Sequence, residues 1–291
     1  MRSYVAIIAN PNAGSASRRK VELAADLLGQ RGFEVEVLDT ASQGDATRLA
    51  RKAAEDSPQM VVAAGGDGTY SEVANGLANT EVPMSLLPLG TSNVLAKEFE
   101  IPEDVRGAVE RMLSGTTRTV SLAKVRWEGK ERLFCLMAGI GFDGETVYAT
   151  RGSALMGVSR KAAHVVKGLE VLARWEAPEL AVTADGRRYE GSSVIVCNAA
   201  KYAGNMKVCP DASMLEPGLY MFLMRGRRRV DFARYALGVL RGANTGFRDV
   251  VYEKVGDVRV EGEAHMQADG DYLGMTPATI TAGGAKLRLV V

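Results

Sequence analysis

The sequence predicts two domains: an α/β N-terminal domain with helices on both faces of a parallel sheet, and a mainly antiparallel β-sandwich C-terminal domain. Two observations predict this fold class. Up to residue 113, short apolar runs alternate with segments of helical periodicity, whereas beyond residue 116 strand-like segments dominate. The 291 residues, 46% of them hydrophobic, are sufficient for two packed cores.

Two periodicities define the N-terminal elements. Apolar residues spaced as on one helix face, such as Val21, Ala24 and Leu28, predict helices, and short uninterrupted apolar runs predict buried strands. Uniformly apolar strands that alternate with helices are typical of a parallel sheet covered on both faces. The predicted strands are 4–10, 33–38, 60–64 and 84–89, and the predicted helices are 17–30, 45–55, 70–77, a segment beginning near 93, and 103–113.

The C-terminal half contains mostly strands with turn residues between them. We place the domain boundary so that the domains are 1–118 and 119–291, and we leave open whether the final strand packs back on the first domain. The predicted strands are 120–127, 132–138, 179–183, 192–198, 219–224 and 255–260, and the predicted helices are 160–174 and 230–240.

The predicted helix 160–174 carries Val165, Val166, Leu169 and Leu172 on one face. Packing of this face into the core is the expected use. A helix at the rim of a lipid entrance is the alternative.

Charge excludes one class of partner. The formal net charge is only +1, which argues against nucleic acid. The basic residues peak at 225–229, where four arginines surround one glycine. A solvated surface is the ordinary interpretation of such a run, and attraction to an anionic membrane is the sharper hypothesis.

Three well-spread cysteines indicate a reducing compartment, so we expect a cytoplasmic protein without disulfides. No segment approaches the ~20 apolar residues of a spanning helix. If the protein meets lipid, we therefore expect the contact to be peripheral, from outside the bilayer.

Three strand-to-helix turns of glycine and small polar residues, 10–15, 65–72 and 89–93, indicate a phosphate site. In a parallel sheet these turns share the carboxyl edge, where ligands bind. Glycine lets backbone N–H groups approach a phosphate, and the following helix N-terminus favours negative charge. Because a polyphosphate would repel the Asp67 carboxylate, we expect Mg²⁺ carried with ATP between them.

Other nucleotide motifs fit less well. The P-loop pattern is absent, and Gly66 and Gly68 match the dinucleotide fingerprint only in part. A plain tight turn remains the alternative for any one of the three turns.

With these motifs in order, the chain resembles the diacylglycerol kinase catalytic-domain family, whose bacterial lipid kinases are similar to sphingosine and ceramide kinases. The resemblance covers nearly the whole chain. It is carried by the segments 10–14, 65–72, 74–76, 88–93, 139–143, Asn198, 210–212 and 269–271.

The resemblance implies a phosphofructokinase-like α/β domain and a β-sandwich domain. It also implies ATP, Mg²⁺ and phosphoryl transfer to a hydroxyl group of a membrane lipid, such as diacylglycerol, ceramide or a sphingoid base. The implied nucleotide contacts are Asn10, Pro11, Asn12, Ala13, Gly14, Thr40, Gly65, Gly66, Asp67, Gly68, Thr69, Glu72, Gly90, Thr91 and Asn93.

The same resemblance assigns catalytic carboxylates. Asp271 matches the proton acceptor of the family, Asp143 is expected near the acceptor or the metal, and Asp67 is expected to contact the metal that accompanies ATP. From the residues alone, Asp271 is also explained by a hairpin turn, and Asp143 by a loop after a strand.

Three departures from the family pattern matter. Val94 stands where many members have Asp, and Asp271 stands where they usually have Glu. The Asp-Gly turn that holds a structural magnesium in the family reads Glu-Pro-Gly here, which leaves Met214, Glu216 and Leu219 as the matching positions.

Two other functions remain open. An NAD kinase shares the Gly-Gly-Asp-Gly-Thr segment, although the dinucleotide stretch of that family is missing downstream. A non-catalytic nucleotide- or lipid-binding protein is the second alternative. The sequence is also compatible with a homodimer, since it does not specify the oligomeric state.

Overall fold

The computed structural model describes residues 4–10, 15–151 and 160–291. The chain divides into two compact units. The first comprises residues 1–121 together with 285–291, and the second comprises residues 122–284. The sequence-based boundary after residue 118 lies close to the division between 121 and 122.

The first unit alternates strands and helices around a parallel sheet of order β2-β1-β3-β4. All six residues of β3 are buried, as expected for a strand covered on both faces. Residue Leu289 of the last strand of the chain lies beside Met84 of β4, in parallel orientation. The elements are β1 (Tyr4–Ala9), α1 (Ser15–Gln30), β2 (Glu34–Asp39), α2 (Asp45–Glu55), β3 (Met60–Gly65), α3 (Asp67–Leu77), β4 (Met84–Pro88), α4 (Val94–Glu98) and α5 (Val105–Ser114).

Helices α2 and α3 pack closely because small residues face each other. Helix α2 buries Ala46, Ala50 and Ala53, which recur on one face. A Cβ atom on Gly76 of α3 would lie 2.5 Å from the carbonyl oxygen of Thr47. This close approach fixes α3, and with it the turn that precedes it.

The second unit is a β-sandwich with added helices. One antiparallel sheet has the order β14-β13-β10-β7-β16-β17. The other sheet contains the antiparallel neighbours β18, β15, β8 and β9, in that order. It also contains a hairpin formed by β5 and β6. One core of buried residues draws on strands of both sheets. The elements are β5 (Thr117–Trp127), β6 (Lys130–Phe134), β7 (Met137–Ile140), α6 (Phe142–Thr150), α7 (Arg160–Arg174), β8 (Leu180–Ala184), β9 (Arg187–Gly191), β10 (Ser193–Cys197), β11 (Lys201–Tyr202), β12 (Met206–Lys207), β13 (Leu219–Met224), α8 (Arg229–Arg241), β14 (Val250–Val255), β15 (Asp257–Glu261), β16 (His265–Ala268), β17 (Asp271–Met275) and β18 (Ala278–Val290).

The predicted fold class is confirmed, but several elements differ from the prediction, among them the strands β9, β14, β16, β17 and β18, which were not in the predicted set. Helix α3 begins at Asp67 rather than near residue 70, so Asp67 lies in its first turn. The predicted strand 132–138 is divided into β6 and β7. Helix α6, which carries Asp143, was not predicted.

Candidate active site

Two glycine turns of the first unit touch each other through their backbones. A Cβ atom on Gly90 would lie 2.6 Å from the Cα atom of Gly66, and a Cβ on Gly65 would overlap the side chain of Thr69. Only glycine permits these approaches. The turn after β3, at which helix α3 begins, therefore meets the turn after β4.

Asp67 is anchored inside this arrangement. Its Oδ1 atom accepts a hydrogen bond from the backbone N–H of Leu95 at 3.0 Å. Desolvation raises the pKa of Asp67 above its ordinary value, whereas the N–H groups of Leu95 and Val94 and the charge of Lys97 lower it. A carboxylate that is costly to keep charged would be stabilised by a nearby cation.

The metal predicted at Asp67 fits this position only as part of a complex with nucleotide. The described residues contain no group of three or more His, Cys, Asp or Glu side chains that could hold a metal ion. Magnesium commonly uses one or two carboxylates together with substrate phosphates. Asp67 thus fits Mg²⁺ delivered with ATP and does not by itself form a metal cage.

Other predicted nucleotide residues lie at the same edge of the sheet. Asn10 and Thr40 directly follow β1 and β2, and the N–H of Thr40 donates to Ala9 O at 2.9 Å. Gly90 and Thr91 are exposed, and no atom lies within 4 Å of a Cβ placed on Gly68. The predicted residues Pro11, Asn12, Ala13 and Gly14 lie outside the described part of the chain.

Two residues predicted to contact the nucleotide, Glu72 and Asn93, form hydrogen bonds that stabilise the loops before α2 and α4. The Glu72 carboxylate accepts hydrogen bonds from the N–H groups of Gly44 at 2.9 Å and Ala46 at 3.1 Å, which start helix α2. The Asn93 side chain binds both the N–H (3.0 Å) and the carbonyl (2.9 Å) of Gly90. Their part in nucleotide binding stays a prediction.

Asp143 is a buried carboxylate in the first turn of α6. The sequence alone also allowed a loop at this position. The oxygens of Asp143 accept hydrogen bonds from Tyr202 Oη at 2.6 Å and from Gln267 Nε2 at 2.5 Å. A Cβ on Gly139 would overlap Asp143 Oδ2, so glycine is required beneath it. Desolvation and the charge of Asp143 both raise the pKa of Tyr202, which keeps this phenol a donor.

The hairpin β16–β17 carries Asp271. Asp269 and Gly270 both have positive φ, 50° and 85°, as a two-residue type I′ turn requires. The Asp269 carboxylate accepts hydrogen bonds from the backbone N–H groups of three successive residues, at 2.7, 2.8 and 3.2 Å: Cys135, Leu136 and Met137. These bonds fall where the predicted strand 132–138 is divided.

Asp271 lies beyond this turn, paired with Arg132 at 2.6 Å through Oδ2. Cross-strand pairing matches Asp271 with Ala268 and Tyr272 with Gln267. Since side chains alternate between faces of a strand, Asp271 lies on the opposite face from Gln267 and its partner Asp143. The structure therefore does not bring Asp143 and Asp271 into one constellation.

The turn nevertheless connects the two carboxylates. Gln267 Oε1 accepts the N–H of Gly270 at 2.7 Å, while Gln267 Nε2 donates to Asp143. Gln267 and Tyr202 were not predicted from the sequence. The pattern offers no signal for them beyond the position of Gln267 four residues before Asp271.

A second polar cluster lies on the Gln267 face. His265 Nδ1 contacts Tyr272 Oη at 2.8 Å, and His265 Nε2 lies 3.3 Å from Glu145 Oε2. The Tyr148 ring stacks on His265 with centroids 4.1 Å apart, and the Arg151 guanidinium lies 4.9 Å from the Tyr272 centroid. None of these residues was predicted from the sequence to belong to a site.

The structural magnesium site stays a prediction. The Met214 side chain is buried, Glu216 pairs with Lys254 at 3.8 Å, and Leu219 begins β13. Thioether and alkyl groups are poor magnesium ligands. Met214 and Leu219 could therefore contribute only their backbone carbonyls.

Comparison with known proteins identifies the family. The diacylglycerol kinase catalytic domain matches residues 4–125, and the YegS C-terminal NAD kinase beta sandwich-like domain matches residues 137–291. A diacylglycerol kinase of Bacillus subtilis (strain 168) is 31% identical over 280 residues, which cover 93% of this chain and 90% of that protein. A diacylglycerol kinase of Staphylococcus aureus (strain MRSA252) is 28% identical over 285 residues, covering 96% and 89%.

The fold agrees with a solved structure. A diacylglycerol kinase from Bacillus anthracis str. Sterne superposes with a TM-score of 0.77 at 22% identity, covering 99% of this chain and 96% of that one. The described residues include no helix that is both long enough and apolar enough to span a membrane. The chain belongs to the diacylglycerol kinase family, as its motifs predict, and its enzyme class is that of the lipid kinases.

Proposed function

We propose that the protein transfers the γ-phosphoryl group of ATP to a hydroxyl group of a membrane lipid. The observation that carries this proposal is the desolvated carboxylate of Asp67 at the start of α3, which accepts the N–H of Leu95 just beyond the second glycine turn. Backbone N–H groups of the turn and the helix N-terminus favour an anionic phosphate chain. Magnesium bound with the nucleotide would supply charge neutralisation at the transferring group.

The acceptor hydroxyl needs a base, and the contacts of Asp271 support it in that role. Arg132 occupies Oδ2, whereas Oδ1 accepts no hydrogen bond from the described residues. The half-buried side chain is 31% exposed, so a substrate can reach it. In the step, the hydroxyl proton passes to Asp271 Oδ1, the hydroxyl oxygen bonds to the γ-phosphorus, and ADP leaves with the electrons of the broken bond.

Asp143 is better suited to a positioning role. Both of its oxygens already accept hydrogen bonds, from Tyr202 and Gln267. Protonation of Asp143 would weaken these bonds, which makes it a less suitable proton acceptor. Through Gln267 it instead supports the turn that carries Asp271.

Diacylglycerol is the first acceptor to test, because the curated relatives are named for it. Val94 is buried at the start of α4, where many members of the family have an acid, so sphingoid and ceramide acceptors belong in the same test. The three buried free cysteines support a reducing, cytoplasmic location, with the membrane approached from its surface.

The test offers radiolabelled ATP and Mg²⁺ with diacylglycerol, ceramide, sphingosine and a polyprenol in detergent micelles, and with NAD in a separate reaction. A labelled lipid is the expected product. Formation of NADP without any lipid product would contradict the proposal.

A further inference from the structure

Helix α8 has two apolar faces, of which the fold uses one. Phe232, Tyr235 and Gly238 are buried. On the outer side, Val230, Leu237 and Leu240 are 62%, 44% and 67% exposed. An apolar helix face that the protein leaves in water marks a surface for a partner.

Unpaired positive charge accompanies this outer face. Arg229 and Arg241 are exposed and form no ion pair with any residue that the structure describes. The only acid of the helix, Asp231, lies at its N-terminus, where it accepts the N–H of Arg228 at 3.0 Å and pairs with its guanidinium. The outer face is thus apolar and cationic.

The arginine run of the sequence is partly occupied by internal contacts. Arg227 forms an ion pair with Glu179 at 2.9 Å, and Arg228 forms an ion pair with Asp231 at 3.4 Å. The run therefore does not form a free basic patch as a whole. Of this run, Arg225 and Arg229 are exposed and form no ion pair with the described residues, and Arg229 is the first residue of α8.

The neighbouring helix α7 shows the same feature. Val165 and Leu169 are 59% and 63% exposed, so the face expected to pack in the core is turned to solvent. Glu170, the acid of this helix, is paired with Lys167 at 2.8 Å. Two adjacent helices thus present apolar side chains without free acidic groups.

We propose that the outer face of α8 docks on an anionic bilayer. Val230, Leu237 and Leu240 would enter the interface, and Arg229 and Arg241 would contact lipid head groups. Charge complementarity selects this occupant: an anionic bilayer attracts both arginines, whereas a second copy of the same face would repel them. The proposal rests on the lipid-kinase function, since a lipid kinase must meet its substrate at the bilayer surface.

The docking helix contacts the segment that carries Asp143. Phe232 on the inner side of α8 stacks on Phe142 with centroids 5.0 Å apart, and both rings contact Trp175, at 4.9 and 5.2 Å. Phe142 directly precedes Asp143. A bilayer bound by α8 would therefore lie one helix thickness from this part of the candidate site.

Vesicle binding of the full chain tests the proposal without requiring turnover. The probes are phosphatidylcholine vesicles with and without phosphatidylglycerol, at low and high salt. The wild type should bind the anionic vesicles and dissociate as salt rises. The pair Leu237→Ser and Leu240→Ser should lower binding at least about tenfold.

Matched controls lie elsewhere in the same unit. Leu215→Ser removes another exposed leucine, and Arg188→Gln removes another exposed arginine that forms no ion pair with the described residues. Both should bind as the wild type does, while Arg241→Gln should bind more weakly. Equal binding of the α8 variants and these controls would overturn the docking surface.

Turnover separates this failure from failure of the proposed function. With a detergent-dispersed acceptor, the Leu237→Ser and Leu240→Ser variant should keep wild-type kcat. Activity of the wild type with unchanged vesicle binding in the variant would reject docking alone. Vesicle binding without lipid phosphorylation would reject the function alone. A wild-type dimer that the α8 variant abolishes, with unchanged vesicle binding, would overturn the proposal in favour of self-association.

Discussion

Two Asp-Gly turns, one in each unit, invite comparison. The carboxylates of Asp67 and Asp269 both accept backbone hydrogen bonds, and desolvation raises the pKa of both. Asp67 is itself the first residue of helix α3, whereas Asp269 and Gly270 precede strand β17. The first turn gathers N–H groups at a helix start, and the second fixes the orientation of the next acid, Asp271. Where a helix begins at the dipeptide, its own carboxylate, Asp67, is the candidate for chemistry. Where a strand follows the dipeptide, the candidate is the next acid, Asp271.

Asp271→Asn should produce the largest loss on the hairpin side of this comparison. It keeps the size of the side chain but removes the proton acceptor, which typically contributes about 10²–10⁴-fold to the rate. We expect kcat for lipid phosphorylation to fall by that range while ATP affinity, measured by calorimetry, stays unchanged. Asp271→Glu should retain measurable activity. Near wild-type turnover in Asp271→Asn, with an inactive Asp143→Asn, would transfer the role of base to Asp143.

Asp67→Asn should cost about 10²–10³-fold in kcat, because it removes charge beside the transferring phosphoryl group. The amide oxygen can still accept the N–H of Leu95, so the melting temperature should change little. Steady-state kinetics across a magnesium titration and a thermal melt measure both effects. Retention of most activity at every magnesium concentration would exclude the metal role.

Asp269→Ala should reverse this pattern, with a structural loss in place of a catalytic one. Three backbone N–H groups would lose their acceptor, at a cost of about 2–4 kcal/mol in the free energy of unfolding. The melting temperature should fall by about 5–15 °C. Asp269→Asn, which tolerates positive φ and keeps one acceptor, serves as the milder control. An unchanged melting temperature in the alanine variant would show that these bonds contribute no net stability.

The smallest expected effect is a pH dependence at Asp67. Because its pKa in the folded state is raised above 3.8, the folded state binds this proton more tightly than the unfolded state does. The stability of the wild type contributed by this group is therefore greatest below 3.8 and falls as pH rises through the folded pKa. The Asp67→Asn variant has no ionisable group at this position and does not lose this stability. Its free energy of unfolding relative to the wild type should therefore increase as the pH rises from 3.8 through the folded pKa of Asp67. Denaturant unfolding at several pH values measures the difference, and a flat difference would mean that Asp67 is not desolvated.

Local patterns predicted the parts of the fold that depend on local periodicity. The run 60–64 and the glycines after it specify a buried strand and a tight turn before any tertiary contact forms, and the structure contains β3 and α3 there. The apolar face of α7 shows the limit of such patterns. Periodicity identifies the face but not its partner, and the structure leaves Leu169 exposed.

Long-range contacts account for the features that the sequence did not predict. Helix α6 contains Gly144, an unfavourable helix residue, because a Cβ there would overlap the carbonyl of His265. The division of the strand 132–138 depends on Asp269, which is distant in the chain. For the same reason the motifs located Asp143 and Asp271 in the chain but did not reveal Gln267 or the face on which each acid lies.

Residues 285–291 belong to the first unit, although they are synthesised after the whole of the second unit. The first unit therefore cannot finish folding in the order in which the chain is made. Leu289 lies beside Met84, and Thr116 and Val291 exchange two backbone hydrogen bonds of 2.9 and 3.0 Å. A ribosome therefore completes the second unit before it releases the strand that finishes the first sheet. Until then the edge of β4 is an unpaired strand, which is a site for aggregation or chaperone binding. The unit that carries the glycine turns can complete its sheet only after the second unit has been synthesised.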